Sequence, residues 1–177
     1  MLNLTFTNDS GDDDGSVERL LGLAMFRPDS HRIRRRRSEY QSRPRQTLML
    51  ARRGEHVCGL IGFRRSGERV IVQHLAVAPS ERRRGLGRAL VARVQAMDGV
   101  EQVEAETDAA ARGFYERCGF LVESLGEKHQ GVERFLCRRR TDGEAPEPTR
   151  RAGWMSKLRA MTPFRNRRPS GARSALS

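Results

Sequence analysis

The sequence predicts a mixed α/β domain, of the α+β kind, on a mostly antiparallel central sheet of about seven strands. Three observations lead there. Residues 47–77 form a meander in which Thr47–Ala51, Val57–Phe63 and Val70–Val77 are strand-length apolar runs separated by the turn dipeptides Arg53-Gly54 and Ser66-Gly67. Between Val70 and Met97 a strand passes through Pro79-Ser80 and an Arg/Gly loop into a segment of helical period. Finally, Ala109–Arg117 reads as a short helix ended by Gly119 and followed by two more strand-like runs.

Taken in order, Leu2, Leu4 and Phe6 alternate with polar residues, as in an edge strand. Asn8–Gly15 is acidic and turn-forming. Ser16 or a nearby Asp can then cap a helix through Val17, Leu20, Leu21, Leu23, Ala24 and Phe26, which Pro28 ends. His31–Arg45 holds seven arginines and one glutamate. It reads as a solvated helix or loop, with a surface for an acidic partner or a flap over a substrate channel as the functional alternatives. After the meander come a helix with Leu90, Val91, Val94 and Met97 on one face, a strand over Val100–Glu106, and the Ala109–Arg117 helix. Phe120–Leu125 and Val132–Arg138 are the last strands, joined by the polar segment Gly126–Gly131.

Domain organisation follows from a shift in composition. Residues 1–138 form the predicted domain, and residues 139–177 a basic tail that lacks core-forming residues and is predicted to be disordered. Its Trp154, Met155, Leu158 and Met161 make at most one short apolar face beside Lys157, Arg159 and Arg165. The formal charge is +12, of which residues 138–177 carry eleven Lys/Arg against three Asp/Glu. Only Lys128 and Lys157 are lysines, an arginine bias that base composition alone can produce, so basicity by itself is a weak argument for nucleic acid. No apolar run nears the roughly 20 residues of a membrane span. No basic-then-apolar leader is seen either. The three cysteines, Cys58, Cys118 and Cys137, have no C-x-x-C spacing, which argues against a zinc site or disulfide framework and for reduced thiols in a cytoplasmic protein.

The stretch with most chemistry is the loop after Val77. Gly85 and Gly87 let backbone approach a ligand where a helix begins, and unpaired N–H groups there sit at the positive end of the helix dipole. Arg82, Arg83, Arg84 and Arg88 surround those amides with positive charge. Physically this is an anion cradle.

The residues also carry a resemblance. Leu75-Ala76-Val77-x-Pro79 followed by Arg82-Arg83-Arg84-Gly85-Leu86-Gly87 resembles the strand-and-loop motif of the GNAT acetyltransferase superfamily, written Arg/Gln-x-x-Gly-x-Gly/Ala. A second string makes the likeness specific: Asp108-x-x-Ala111-x-x-Phe114-Tyr115, running on to Gly119-Phe120, is similar to the family's Asn-x-x-Ala-x-x-Phe-Tyr. The resemblance spans residues 1–138. It implies a sheet splayed between its fourth and fifth strands, with helices on both faces, and acetyl-CoA or another acyl-CoA as donor.

By the same resemblance, Leu75, Ala76, Val77, Arg82, Arg83, Arg84, Gly85, Leu86, Gly87, Arg88, Ala89, Asp108, Phe114 and Tyr115 are the expected cofactor-binding positions. Backbone amides from Arg83 to Arg88 hold the pyrophosphate. Pantetheine enters between Leu75–Val77 and Val103–Glu106. The Val77 N–H stabilises the oxyanion, and Tyr115 protonates the leaving thiolate as general acid. The amine attacks directly, without a covalent enzyme intermediate or a metal. A plain core aromatic is the competing reading of Tyr115. Asp108 replaces the family's asparagine but can still cap its helix. Cys118 lacks a histidine placed to activate it as a nucleophile.

A general base is less evident. The family's Glu or His positions fall on Ile71 and Gln73, neither of which accepts a proton usefully. His74 is adjacent, but strict alternation turns it to the opposite face unless a bulge intervenes. Glu106 and Glu104 on the neighbouring strand, or water, are the other choices. Glu127, Lys128 and His129 fall in the last hairpin. The expected activity is therefore N-acetyl transfer from acetyl-CoA to a primary amine of unspecified kind, in a chain that commonly pairs as a homodimer in this family. The alternative is a catalytically weak acyl-CoA-binding module whose Arg-rich segment and tail bind nucleic acid, an acidic partner or an anionic surface.

Overall fold

The computed structural model describes residues 4–11, 15–129 and 131–143. The expectations for Trp154 to Arg165, and for the tail beyond Gly143, lie outside them, whereas Arg139 and Arg140, expected in the tail, belong to the last strand and pair with Val103 and Gln102. Seven strands form one sheet: β1 Thr5–Asn8, β2 Gln46–Arg53, β3 His56–Ser66, β4 Arg69–Val77, β5 Gln102–Asp108, β6 Leu121–His129 and β7 Val132–Arg140. Their spatial order is β1-β2-β3-β4-β5-β7-β6. Every pairing is antiparallel except β4 with β5. That exception follows from the chain, because α3 (Leu86–Gln95) returns it to the same end of the sheet before β5 begins.

Alternation along the strands builds two cores. Ile61, Phe63, Val70, Val72, Val103 and Ala105 pack on Leu86, Leu90, Val91 and Val94 of α3 and on Tyr115 of α4 (Ala109–Arg117). Leu90 and Val91 are fully buried, and burying each is worth about 1.5–3 kcal/mol. On the opposite face, Leu48, Leu50, Leu60 and Ala76 meet Val17, Leu20 and Leu21 of α1 (Ser16–Ala24) and Tyr40 of α2 (Ser30–Ser42). Helices thus cover both faces, as expected, and β1 is an edge strand.

Several boundaries differ from the sequence-based expectation. The N-cap of α1 is Gly15, at φ 83°, and Ser16 lies inside the first turn with its hydroxyl accepting from Arg19. The helix stops at Ala24, so Leu23 and Phe26 are exposed and lie off the buried face. Gly126–Gly131 is not a separate loop. β6 runs on to His129, with irregular register between Ser124 and Glu127 where Gly126 takes φ 71°.

The Arg-rich segment is a helix, N-capped by Asp29, whose carboxylate accepts from the Arg32 amide. Most of its arginines face solvent, but Arg37 is buried. It holds both carboxylate oxygens of Asp9 at 2.8 Å and reaches Glu18 at 2.6 Å, tying α2 to the end of β1 and to α1.

Candidate functional site

The sheet opens at the middle of β4. Val70, Ile71 and Val72 pair in parallel with Val103, Glu104 and Ala105, and the ladder ends there. The divergence therefore starts at Gln73 and Glu106, at the far end of the Val103–Glu106 stretch expected for it. Across β4 the antiparallel register jumps from Phe63↔Val72 to Gly62↔His74, which leaves Gln73 as an extra, bulged residue. The bulge inverts the facing of everything beyond it. Val70 and Val72 belong to the α3/α4 core, and so do Leu75 and Val77, whereas His74 and Ala76 face α1 and α2. The intervening bulge that the sequence left open is therefore present.

The same alternation fixes the amides. The Ala78 N–H donates to the Cys58 carbonyl at 2.8 Å, so positions 78, 76 and 74 bond toward β3. Leu75 and Val77 then turn their N–H and C=O groups the other way, toward the gap left by β5. The Val77 carbonyl on that side accepts from Arg82 Nε at 3.2 Å.

A short 3-10 turn, Pro79–Glu81, leads into the loop. Arg83 at φ 61° and Gly85 at φ 83° are both left-handed, and Gly85 caps α3 without any side-chain hydrogen bond. The amides of the first turn of α3 are thus not claimed by a capping side chain, and a Cβ on Gly85 would meet nothing within 4 Å. Gly87 is small for a packing reason as well: a Cβ there would lie 3.1 Å from the Phe114 ring, so its absence lets α3 pack closely on α4. Leu86 is buried beneath the loop and Ala89 is half-buried. The arginines divide in use. Arg82 holds the Val77 carbonyl, Arg84 lies 3.8 Å from Glu81, and Arg88 donates to the Arg117 carbonyl at 2.7 Å. Arg83 alone of the four makes no side-chain hydrogen bond or ion pair among the described residues.

Opposite the loop, Asp108 caps α4 through one carboxylate oxygen that accepts from Ala110 and Ala111. The far end closes as a Schellman motif: Gly119 N–H bonds the Glu116 carbonyl and Phe120 N–H the Tyr115 carbonyl, with Gly119 at φ 80°. This frame fixes Tyr115 between Phe114 and Phe120 in edge-to-face contacts, with centroids 5.1 and 5.3 Å apart. Tyr115 is buried, which raises its hydroxyl pKa, as do the nearby Cys137 and Cys118. Its hydroxyl makes no hydrogen bond among the described residues. Cys58, Cys118 and Cys137 are all free and buried, and burial pushes the Cys118 thiol up, away from nucleophilic use.

On the α1/α2 side of the opening lies a polar cluster that only partly matches the expectations. His74 Nδ1 is 2.7 Å from the Tyr40 hydroxyl, which also reaches Gln73 Oε1 at 3.4 Å. Gly62 makes room for that hydroxyl, since a Cβ there would lie 2.3 Å from it. Glu106 shares this face, with its carboxylate 3.2 Å from Arg134 Nε. Glu104 accepts from Gln102 at 2.7 Å and lies 3.7 Å from Arg69. Arg36 pairs with Glu39, and Glu127 is exposed. Sequence reasoning missed Tyr40. Its signal was the Ile33, Arg37, Tyr40 spacing of one helix face, obscured by an arginine at the central position.

Burial lowers the His74 pKa to about 4, and Arg36 adds to the shift. A histidine whose folded pKa lies below its unfolded value of about 6.5 stabilises the fold fully above that value and loses this as pH falls toward the folded pKa. Unfolding free energy is therefore expected to drop by about 2–3 kcal/mol between pH 7.5 and 4.5 through this group, at about 1.4 kcal/mol per pKa unit. Urea melts of the wild type and His74→Gln at the two pH values check this. A drop of the same size in the variant would assign it to other groups.

Residues 44–122 match the family model for the acetyltransferase (GNAT) domain. Among solved structures, a protein from Desulfovibrio desulfuricans assigned to the GNAT acetyltransferases is 24% identical, with 78% of this chain and 99% of that one aligned at TM-score 0.67. A GNAT acetyltransferase from Elizabethkingia anophelis, solved with acetyl-CoA bound, is 19% identical, over 78% and 98% of the chains, at TM-score 0.58. Spermidine N-acetyltransferase from Vibrio cholerae, solved with CoA and spermine, is 14% identical, over 79% and 96%, at TM-score 0.63. The matched stretch contains the bulged strand, the loop into α3 and the capped α4, and over these residues the chain is similar to the GNAT acetyltransferase domain.

Proposed function

We propose that the protein is an N-acetyltransferase moving an acetyl group from acetyl-CoA to a primary amine. One observation carries the reading. The parallel ladder ends at Val72↔Ala105, and beyond it the Leu75 and Val77 amides face a gap on the side of the loop into α3, whose first amides no side chain caps. That combination offers an anion site for a pyrophosphate and, a few residues away, a backbone donor for a thioester carbonyl. The residues present fit such a donor substrate, since the Gly85 side is open and Arg83 is uncommitted.

In this reading the loop amides from Arg83 to Arg88 bind the diphosphate, and Arg82 steadies the Val77 peptide through its carbonyl. The Val77 N–H donates to the thioester oxygen and stabilises the negative charge growing there as the amine nitrogen bonds to the carbonyl carbon. When the C–S bond breaks, the electron pair goes to sulfur and Tyr115 supplies its proton. That phenol is protonated at neutral pH, and burial raises its pKa further. The amine enters from the α1/α2 face, where His74 and Glu106 flank the opening. An amine as acceptor draws support from the polyamine-bound neighbour.

The first test is thermal. A ligand that binds only the native state at 100 times its Kd stabilises by about 2.7 kcal/mol, so saturating acetyl-CoA is expected to raise Tm by several degrees. An unchanged Tm at millimolar acetyl-CoA would sink the proposal. A panel of amines with acetyl-CoA, followed by release of free thiol, then identifies the acceptor.

A further inference from the structure

We propose that the acceptor is an amine that also carries a carboxylate, and that Arg36 on α2 selects for it. This rests on the acetyl-transfer reading and names the substrate class of that site. The charges on the sheet face where the amine enters point this way. Facing alternates along each strand, so Glu104 and Glu106 of β5, Glu123 of β6, and Arg134 and Arg138 of β7 lie on this face. Their neighbours Val103, Ala105, Val122 and Cys137 face the α3/α4 core instead. Each of these carboxylates already has a guanidinium. Glu104 lies 3.7 Å from Arg69, Glu106 3.2 Å from Arg134 and Glu123 2.7 Å from Arg138. Glu133 and Glu127 stand opposite each other in the last hairpin, and Glu133 shares the α4 side with Phe135 and Cys137.

On α2 the one-to-one matching stops. Glu39 is shared by three arginines, Arg35 at 3.3 Å, Arg36 at 2.8 Å and Arg43 at 3.4 Å, so this wall of the opening is left positive. The side chains of Arg35 and Arg43 are 64% and 53% exposed and well hydrated, whereas that of Arg36 is 21% exposed. Arg36 stands one turn before Tyr40 on the same side of α2. The Tyr40 hydroxyl in turn lies 2.7 Å from His74 Nδ1, where β4 has lost β5 as neighbour. Only Nη1 of Arg36 is spent on Glu39, and its Nε and Nη2 have no hydrogen-bond partner among the described residues. After burial, Arg36 is the next cause of the lowered His74 pKa, so its field extends into the opening.

Both features select in the same direction. A second ammonium on the acceptor meets carboxylates that are already matched and a wall that repels it. A carboxylate on the acceptor meets a half-buried guanidinium with two nitrogens still open, and that planar fork matches its two oxygens.

Amines that differ only at the far end of the chain test this: ω-aminopentanoate, ω-aminopentanol and α,ω-diaminopentane, with the propane series as a shorter set. Each is offered with acetyl-CoA and free thiol is followed. The expected order of kcat/KM is carboxylate, then alcohol, then diamine, with about tenfold or more between the first two, the worth of a hydrogen bond between charged groups. Arg36→Gln should lower the carboxylate-to-alcohol ratio by about the same factor, through KM rather than kcat, and Arg36→Lys should restore part of it. Glu39→Gln should raise the ratio, because its amide oxygen still accepts from Arg36 while the wall loses a negative charge. A preference for the diamine, no turnover or no preference in either series, or a ratio indifferent to Arg36 overturns the proposal. If acetyl-CoA still raises Tm in that case, acetyl transfer stands and only the acceptor class falls. An unchanged Tm overturns both.

Discussion

Arg37→Met is expected to lower the unfolding free energy by about 3–5 kcal/mol, the range for removing one partner of a buried ion pair. Arg37 grips both oxygens of Asp9 at 2.8 Å, and the Asp9 side chain is only 3% exposed. Burial by itself would raise the Asp9 pKa, but the hydrogen bonds from Arg37 reverse the sign and hold it below the ordinary carboxylate value. Arg37 is itself held charged by Asp9, against the cost of burial. Methionine can fill the space of the stem but leaves a buried carboxylate with its charge unopposed. Glu18 suffers less, because it is 30% exposed and water takes over. Urea melts should show a lower midpoint at unchanged slope. The lowered Asp9 pKa means that its stabilisation is present above about pH 4 and lost below, so the gap between wild type and variant should narrow in acid. Adding Asp9→Asn to Arg37→Met should recover part of the loss. A full-strength double variant cost would place the defect in packing rather than charge.

Arg37 also marks where the sequence stops being legible. Helical spacing identified much of the domain because its signals were local. Asp108 at one end and Gly119 at the other bracket α4 at Ala109–Arg117 as expected, and glycines at turns delimit the meander. A run of arginines gives no such signal. Whether one of them is buried depends on carboxylates far along the chain, and Asp9 is 28 residues away.

The site shows the same division. The loop, the cap and the Phe114-Tyr115 pair are contiguous strings, readable in one dimension. The bulge at Gln73 is not, since Val70, Ile71, Val72, Leu75 and Val77 place apolar residues in both phases of the strand and either facing of His74 satisfies the pattern. Gly87 is ambiguous in sequence for a related reason: a small residue shows that something comes close, but not that the Phe114 ring is one of the groups that does.

Tyr115→Phe separates the two readings of the aromatic cluster. The substitution keeps the ring and both edge-to-face contacts, and the hydroxyl has no partner among the described residues to leave unpaired. Stability should therefore change by less than about 1 kcal/mol, since no packing is lost. If the hydroxyl protonates the departing thiolate, kcat should fall by about 100-fold or more, the usual contribution of a positioned general acid. Acetyl-CoA affinity, read from the Tm increase, should stay within about twofold, because the lost interaction forms only as the C–S bond breaks. The fall in kcat should also be smaller with an acyl thioester whose thiol is more acidic, since such a leaving group needs less help. That dependence is the decisive part, for a phenol that merely fills the core has no reason to care about the leaving group. A variant within threefold of wild type on both thioesters would make Tyr115 a packing residue and hand the thiolate's proton to water, with Val77 left as the main source of transition-state stabilisation.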